Sequence, residues 1–336
     1  MKKTIIALIA VVLLITMYAN RQYMGFIDLS PAELNSRYAN SSSKFIKLEG
    51  LQQGITLHYR DEGISVEEDP DAPVLFLLHG IMASLHTWDG WVKTLKDDFR
   101  IIRVDIPGFG LTGPYPDDVY NIDRSTDMVN QLSDKLGIKS FSIAGNSMGG
   151  YISWNVALRY PEKVERLVLL DAAGYTFKKP MLLGLIQMPV IKDSLSFITP
   201  KFIVTQTLNE VYGDASKISD ELIERYHQLM LREGNRTAVV SVLASMGNID
   251  NSAIKTLKVP TLIQWGEADA WIPLAHAKNF KAEIEGSKLI TYPGVGHVPM
   301  EEIPQKTAQD ARRFLLAVID EEVEIKPAAV TPVILE

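Results

Sequence analysis

A serine set among glycines, Gly145-Asn146-Ser147-Met148-Gly149, constrains this chain more than any other stretch. It reads G-x-S-x-G. The apolar run Phe141-Ser142-Ile143-Ala144 precedes it and has the character of a buried strand; residues 150–158 follow with helical character. Between the two the chain must reverse within a few residues. That reversal holds the serine in a strained conformation with its Oγ exposed, and side chains at 145 or 149 would collide with the neighbouring strand and helix. The helix then starts just behind the serine, and its first N–H groups face any negative charge that develops there. In this strand–turn–helix context the segment reads as a nucleophile elbow rather than a glycine-rich loop with an incidental serine.

Around it, strand and helix patterns alternate. Val74–Leu78 is a continuous apolar run, as in a strand covered on both faces. Similar runs lie at Ile101–Val104, Ser142–Ala144, Leu167–Leu170, Thr261–Trp265 and Lys288–Thr291. Helical patterns separate them, at Ser84–Leu95, Arg124–Leu136, Met148–Arg159, Leu274–Ile284 and Gln305–Val318. This order predicts an α/β fold, a mostly parallel sheet wrapped by helices. Lys44 to Arg60, with Gly50 and Gly54, predicts an antiparallel hairpin. The alternation breaks between about Tyr175 and Thr256, where Leu182–Ile186, Glu221–Leu231 and Ala238–Met246 are helix-like and no strand stands out. The division expected is a core at 44–174 and 257–320, a helical cap at 175–256, a polar linker at 22–43 and a loose tail at 321–336.

The N-terminus is apolar from Ile5 to Ala19, behind Met1-Lys2-Lys3 and closed by Asn20-Arg21-Gln22. The run is short for a membrane span and long for a signal-peptide core. Met17 is a poor partner for Ala19 at a cleavage site, so residues 1–21 read as an uncleaved signal anchor, with secretion after cleavage as the alternative. Lys2 and Lys3 outweigh Arg21, which leaves the N-terminus in the cytoplasm and the body outside, on the periplasmic side in a bacterium. The net charge is −7 and no basic tract follows, which argues against nucleic acid as a partner. The absence of cysteine excludes disulfides, thiolate catalysis and Cys-ligated zinc.

A serine hydroxyl needs a base, and the base needs a third group to orient it. Of six histidines, His297 lies in Pro293-Gly294-Val295-Gly296-His297-Val298-Pro299, a loop that follows the last strand pattern and can present a side chain at the sheet edge. His79, before Gly80, suits a structural role in shaping a loop. His58, His86, His227 and His276 have no comparable setting. Asp269 follows the Thr261–Trp265 run and is the preferred acid; Asp171, at the end of Leu167–Leu170, is the second choice, and Glu267 a weaker third. Oxyanion donors are expected from the backbone N–H of Met148 and of Ile81, the latter preferred over Met82.

These residues resemble the α/β-hydrolase superfamily from about Lys44 to Ile319. The resemblance rests on Leu78-His79-Gly80, Asp105-Ile106-Pro107-Gly108-Phe109-Gly110, Gly145-Asn146-Ser147-Met148-Gly149-Gly150, Asp171-Ala172-Ala173-Gly174, Trp265-Gly266-Glu267-Ala268-Asp269 and Gly296-His297. Within it, the chain is similar to membrane-anchored monoacylglycerol-lipase-like esterases and to bacterial lipases with a helical cap. The Asn-Ser-Met-Gly-Gly form also occurs in C–C bond hydrolases of aromatic catabolism. Serine at 147 departs from haloalkane dehalogenases and epoxide hydrolases, which place aspartate there. The resemblance implies ester hydrolysis through an acyl-enzyme, by Ser147, His297 and Asp269, on a small-molecule acyl ester and with no metal or cofactor. Rival readings are C–C cleavage on the same residues, a haloperoxidase-like side activity, and a binding protein that kept the fold.

Overall fold

The computed structural model describes residues 5, 6, 11, 16, 23–49, 54–176, 197–247 and 249–317. Its centre is an eight-stranded sheet in the order β1-β2-β4-β3-β5-β6-β7-β8. β1 (Ser43–Leu48) and β2 (Ile55–Gly63) form the antiparallel hairpin expected from the sequence, in the register Ser43 opposite Arg60 and Leu48 opposite Ile55. β2 also runs antiparallel to β4 (Arg100–Val104). The remaining pairings are parallel and join β3 (Val74–Leu78), β4, β5 (Phe141–Asn146), β6 (Val164–Leu170), β7 (Thr261–Gly266) and β8 (Lys288–Tyr292). β5 and β7 are buried at every position, because helices cover both faces of the sheet's middle.

Topology positions the site. From β3 the chain moves outward to β4, then crosses back to β5 on the other side of β3. The connections leaving β3 and β5 therefore diverge, and a crevice opens at the carboxyl ends of these two strands.

Helices α1 (Pro31–Tyr38), α2 (Asp89–Leu95), α3 (Ile122–Lys135) and α4 (Met148–Arg159) precede β6. Between β6 and β7 the described chain forms only helices: α5 (Lys201–Val211), α6 (Asp220–Met230), α7 (Asn235–Ser245) and two short 3-10 turns. α8 (Ala275–Glu283), α9 (Pro299–Glu302) and α10 (Pro304–Leu315) complete the core. α5 is not among the helix-like stretches that the sequence predicts between Tyr175 and Thr256. The Leu182–Ile186 stretch lies outside the described residues, as do the tail at 321–336 and most of the apolar N-terminal run. Among the described residues no helix is long and apolar enough to cross a membrane.

The stretch 22–43, expected as a polar linker, differs from that reading. Ser30 caps α1, its Oγ accepting from Glu33 N–H at 3.2 Å, and Pro31 occupies the first turn. Leu34 is fully buried against Leu111 and Leu229. Leu29 exchanges backbone hydrogen bonds with the end of α6, from its N–H to Leu231 O at 2.7 Å and from Glu233 N–H to its carbonyl at 3.1 Å. Tyr23 O accepts from Lys201 N–H at 2.8 Å. One buried leucine and these paired backbone groups fasten a polar segment to the helical insertion.

Candidate active site

The turn from β5 to α4 is as tight as the glycines demand. A Cβ at Gly145 would sit 2.3 Å from Gly149 O, and one at Gly149 would sit 2.2 Å from Leu78 O. Ser147 between them has φ 54° and ψ −116°, a conformation that a non-glycine residue adopts only when its surroundings force it. Here the forcing groups are the backbone bonds from Ser147 N–H to Leu170 O at 3.1 Å and from Ala173 N–H to Ser147 O at 3.0 Å. The serine is thus pinned to the end of β6. Met148 is the first residue of α4, so its N–H is one of the first-turn amides with no acceptor inside the helix.

Asp269 and His297 meet across the ends of β7 and β8. His297 Nδ1 lies 2.7 Å from Asp269 Oδ2. The other oxygen, Asp269 Oδ1, accepts from Trp271 N–H at 2.7 Å and Ile272 N–H at 2.9 Å. Three donors converge on one carboxylate. The bond at Nδ1 turns the opposite ring nitrogen, Nε2, towards the cavity; Nε2 is buried and makes no hydrogen bond among the described residues. His297 and Ser147 line the same cavity.

Asp171, the second-choice acid, also arrives here, but His297 bonds Asp269. Asp171 Oδ1 accepts from Gly266 N–H at 2.9 Å. Its carboxyl is fully buried. Burial first, and then the Asp269 carboxylate, push it well above the usual carboxylate range; Glu302 acts in the same direction and the Gly266 N–H against it. Asp171, Asp269 and His297 each bring one ligand-type atom within 4.8 Å of the others, the one such cluster among the described residues. Glu267, the third choice, accepts from Thr291 Oγ1 at the surface.

His79 is fully buried and holds the loop after β3. Its Nε2 accepts from Ile106 N–H at 3.0 Å, which leaves Nδ1 to donate to Gly80 O at 2.7 Å. Burial lowers its pKa and so favours this neutral form. Ile81 follows in the same loop and lines the cavity beside Ser147. His58 is also buried, Nδ1 to Asp105 Oδ2 at 2.7 Å, and Asp105 further accepts from Leu85 N–H and Leu111 N–H. This network ties the loops after β3 and β4 together from below.

Three further residues frame the site in roles that their residue types do not announce. Asn146 Nδ2 donates to His297 O at 2.9 Å and to Leu170 O at 3.2 Å, so the residue before the serine holds the histidine loop. Glu302 is buried and accepts from the N–H groups of Gly296, Gly213 and Asp214 at 2.9–3.0 Å. Val211, the last residue of α5, accepts from His297 N–H. Asn146 occupies a variable position of G-x-S-x-G, and Glu302 is one acid among many. Only their contacts mark them.

The cavity above Ser147 is mostly apolar, with the polar side chains of Asn146, Ser147 and His297 set in its floor. Gly80–Ala83, Asn146, Ser147, Trp271, His297 and Val298 form the floor. α5 contributes Ile203, Val204, Thr207, Leu208 and Val211, spaced as one face of a helix; α6 adds Tyr226 and Met230, and α7 adds Arg236, Val239 and Val240. Arg236 is buried, with Nη1 on Gly25 O at 2.7 Å and Nη2 on the Asp28 carboxylate.

Comparison with known proteins agrees with this architecture. The family model described as alpha/beta hydrolase fold matches residues 73–304. The chain is 26% identical over 250 residues to an uncharacterized hydrolase, YugF, of Bacillus subtilis, covering 74% of this chain and 92% of that one. It is 28% identical over 270 residues to 2-hydroxymuconate semialdehyde hydrolase of a Pseudomonas strain, covering 77% and 90%. Among solved structures, a thermophilic esterase from Thermogutta terrifontis superposes with a TM-score of 0.69 at 23% identity, covering 81% of this chain and 98% of that one, a likeness of fold. With its parallel sheet, its serine at the β5 turn and a matched model spanning most of its length, this chain belongs to the alpha/beta hydrolase fold family.

Proposed function

We propose that this hydrolase cleaves carboxylic esters with lipid-like or medium-length acyl chains. Ser147 Oγ attacks the acyl carbonyl while His297 Nε2 takes its proton. Asp269 stabilises the imidazolium, and the N–H groups of Met148 and Ile81 receive the oxyanion. His297 then passes its proton to the leaving alcohol. Water, deprotonated by His297, attacks the acyl-enzyme and releases the acid, regenerating Ser147. No metal or cofactor takes part. The helices at 201–245 act as a lid, and the apolar run at 5–19 anchors the protein with its catalytic body outside the cytoplasm.

The observation that carries the ester reading is the cavity's lining. Among the described residues its one permanent cation is Arg236, and two guanidinium nitrogens are already engaged by Gly25 and Asp28. The rest of the roof is aliphatic, with Thr199, Thr207 and Tyr226. An uncharged acyl chain suits such a wall; the one group left for a carboxylate substrate is Arg236 Nε–H, which is buried and makes no hydrogen bond among the described residues.

A second reading keeps the same residues for C–C bond hydrolysis. It is favoured by the 28% identity to 2-hydroxymuconate semialdehyde hydrolase. Labelling with a fluorophosphonate, located by mass spectrometry, followed by turnover of p-nitrophenyl esters of graded chain length beside a dienoate substrate, separates the two. Labelling at Ser147 with turnover rising with acyl length supports the ester reading. Turnover of the dienoate alone would replace it.

A further inference from the structure

The site holds one more acidic group than a serine hydrolase needs. Asp171 sits at the carboxyl end of β6 with φ 44°, a left-handed conformation that costs a non-glycine residue energy. That cost aims a carboxyl at the Asp269 carboxyl, where no solvent reaches it. The two carboxyls are unequally supplied with donors. Asp269 accepts from two backbone N–H groups and from His297, whereas Asp171 accepts from Gly266 N–H alone. Asp171 Oδ2 is buried and has no donor. Two buried carboxylates this close do not both ionise; they share a proton, and it resides on the one with fewer donors.

We propose that Asp171 is a positioning residue that carries a proton at neutral pH and donates its Oδ2–H to Asp269. The ionisable groups acting on it are Asp269 from the β7 loop, His297 from the β8 loop, Glu302 from α9 and Tyr292 at the end of β8. No ion pair reaches it among the described residues. The consequence falls on His297. A second ionised carboxyl would hold the imidazole protonated to higher pH and remove the base; a neutral donor instead spreads the Asp269 charge and leaves His297 free to accept a proton. The donated bond also fixes the Asp269 loop to β6, the strand whose last residues pin Ser147. This inference rests on the triad reading above.

The test uses the full-length protein and two readouts that need no substrate. Infrared difference spectroscopy across a pH titration, with aspartate carboxyls isotopically labelled, should show a protonated carboxyl band persisting at pH 7. Asp171→Asn should remove it, because the amide cannot ionise. Asp269→Asn should move its disappearance to lower pH, because the neighbouring carboxylate is gone while the burial of Asp171 remains. NMR titration of the His297 ring should give an unchanged midpoint in Asp171→Asn, which replaces one neutral donor with another, and a raised midpoint in Asp171→Ala, which removes the donor. The acid limb of kcat/KM should follow the same pattern, with Asp171→Asn within about tenfold of wild type and Asp171→Ala lower. Absence of the band in wild type overturns the proposal without any variant. So does a His297 midpoint that falls by about one unit in Asp171→Asn, since that is the effect of deleting a neighbouring negative charge. A band that behaves as expected in a protein that turns over no ester would sink the ester reading and leave the Asp171 proton standing.

Discussion

The backbone N–H of His297 donates to the carbonyl of Val211 at 2.7 Å. This bond joins the loop of the candidate base to the last residue of α5, the helix that roofs the cavity. Glycines allow the approach. A Cβ at Gly296 would lie 2.3 Å from Val211 O and 2.5 Å from Gly213 N, and one at Gly266 would lie 2.0 Å from Gly296 O. Three chain segments therefore touch through bare backbone, and movement of α5 is felt at His297.

Gly296→Ala is expected to force the His297 loop away from α5. A displacement on the order of 1 Å costs about 100-fold in a reaction that depends on alignment. Steady-state kinetics should show that loss mainly in kcat/KM, with fluorophosphonate labelling slowed in parallel. Full activity in a folded Gly296→Ala protein would show that the contact with Val211 has no bearing on the histidine.

Asp269→Asn keeps the shape of the Trp271 and Ile272 bonds to its oxygen but offers His297 the wrong hydrogen-bonding partner. A loss of about 10⁴-fold in kcat is expected, with substrate binding little changed, because the imidazole is held in the wrong tautomer and its cation loses stabilisation. Ser147→Ala should lose at least as much and lose all labelling by the probe. Stopped assays on both variants, with circular dichroism to verify folding, check this.

Filling the roof should shorten the acceptable acyl chain. Val240→Phe on α7 places a ring where the aliphatic wall now leaves room. Discrimination against long-chain p-nitrophenyl esters should rise by roughly tenfold or more, while acetyl ester turnover stays within a few-fold. An unchanged chain-length profile would put the acyl group elsewhere.

His86 gives the protein a specific weakness in acid. It is buried; its Nε2 accepts from Arg60 Nη2 at 3.0 Å, and its Nδ1 lies 3.1 Å from Ser84 Oγ. Burial, opposed by Asp105 and reinforced by the Arg60 guanidinium, lowers its pKa to about 4. The folded value thus lies below the unfolded one near 6.5. As pH falls below about 6.5 the unfolded chain takes up a proton that the folded chain refuses, so stability falls, and the loss levels off below about pH 4. The full effect is ~3 kcal/mol. Urea denaturation at pH 7, 5.5 and 4 should show a shallower decline in His86→Asn than in wild type; parallel declines would assign the acid sensitivity to other groups.

The strands and the elbow are legible in the chain because each depends on residues close together in it. Continuous apolar runs such as Val74–Leu78 must be covered on both faces. Gly145 and Gly149 fit a reversal that no side chain would permit. Asp269 and His297 were legible as residues leaving β7 and β8 at the carboxyl edge. Tertiary structure decided everything that depends on distance between segments far apart in the chain. It gave His297 to Asp269, placing Asp171 behind that pair, since both acids end strands and only strand order and loop path separate them. It folded the polar stretch before β1 into a helix through one leucine, Leu34, too faint a signal against its serines and asparagines. It also joined Asn146, Glu302 and Val211 to the histidine loop, the first two by side chains bonded to the loop's backbone and Val211 by its carbonyl; a loop backbone group leaves no trace in residue type, because every residue carries the same carbonyl and nearly every one the same N–H.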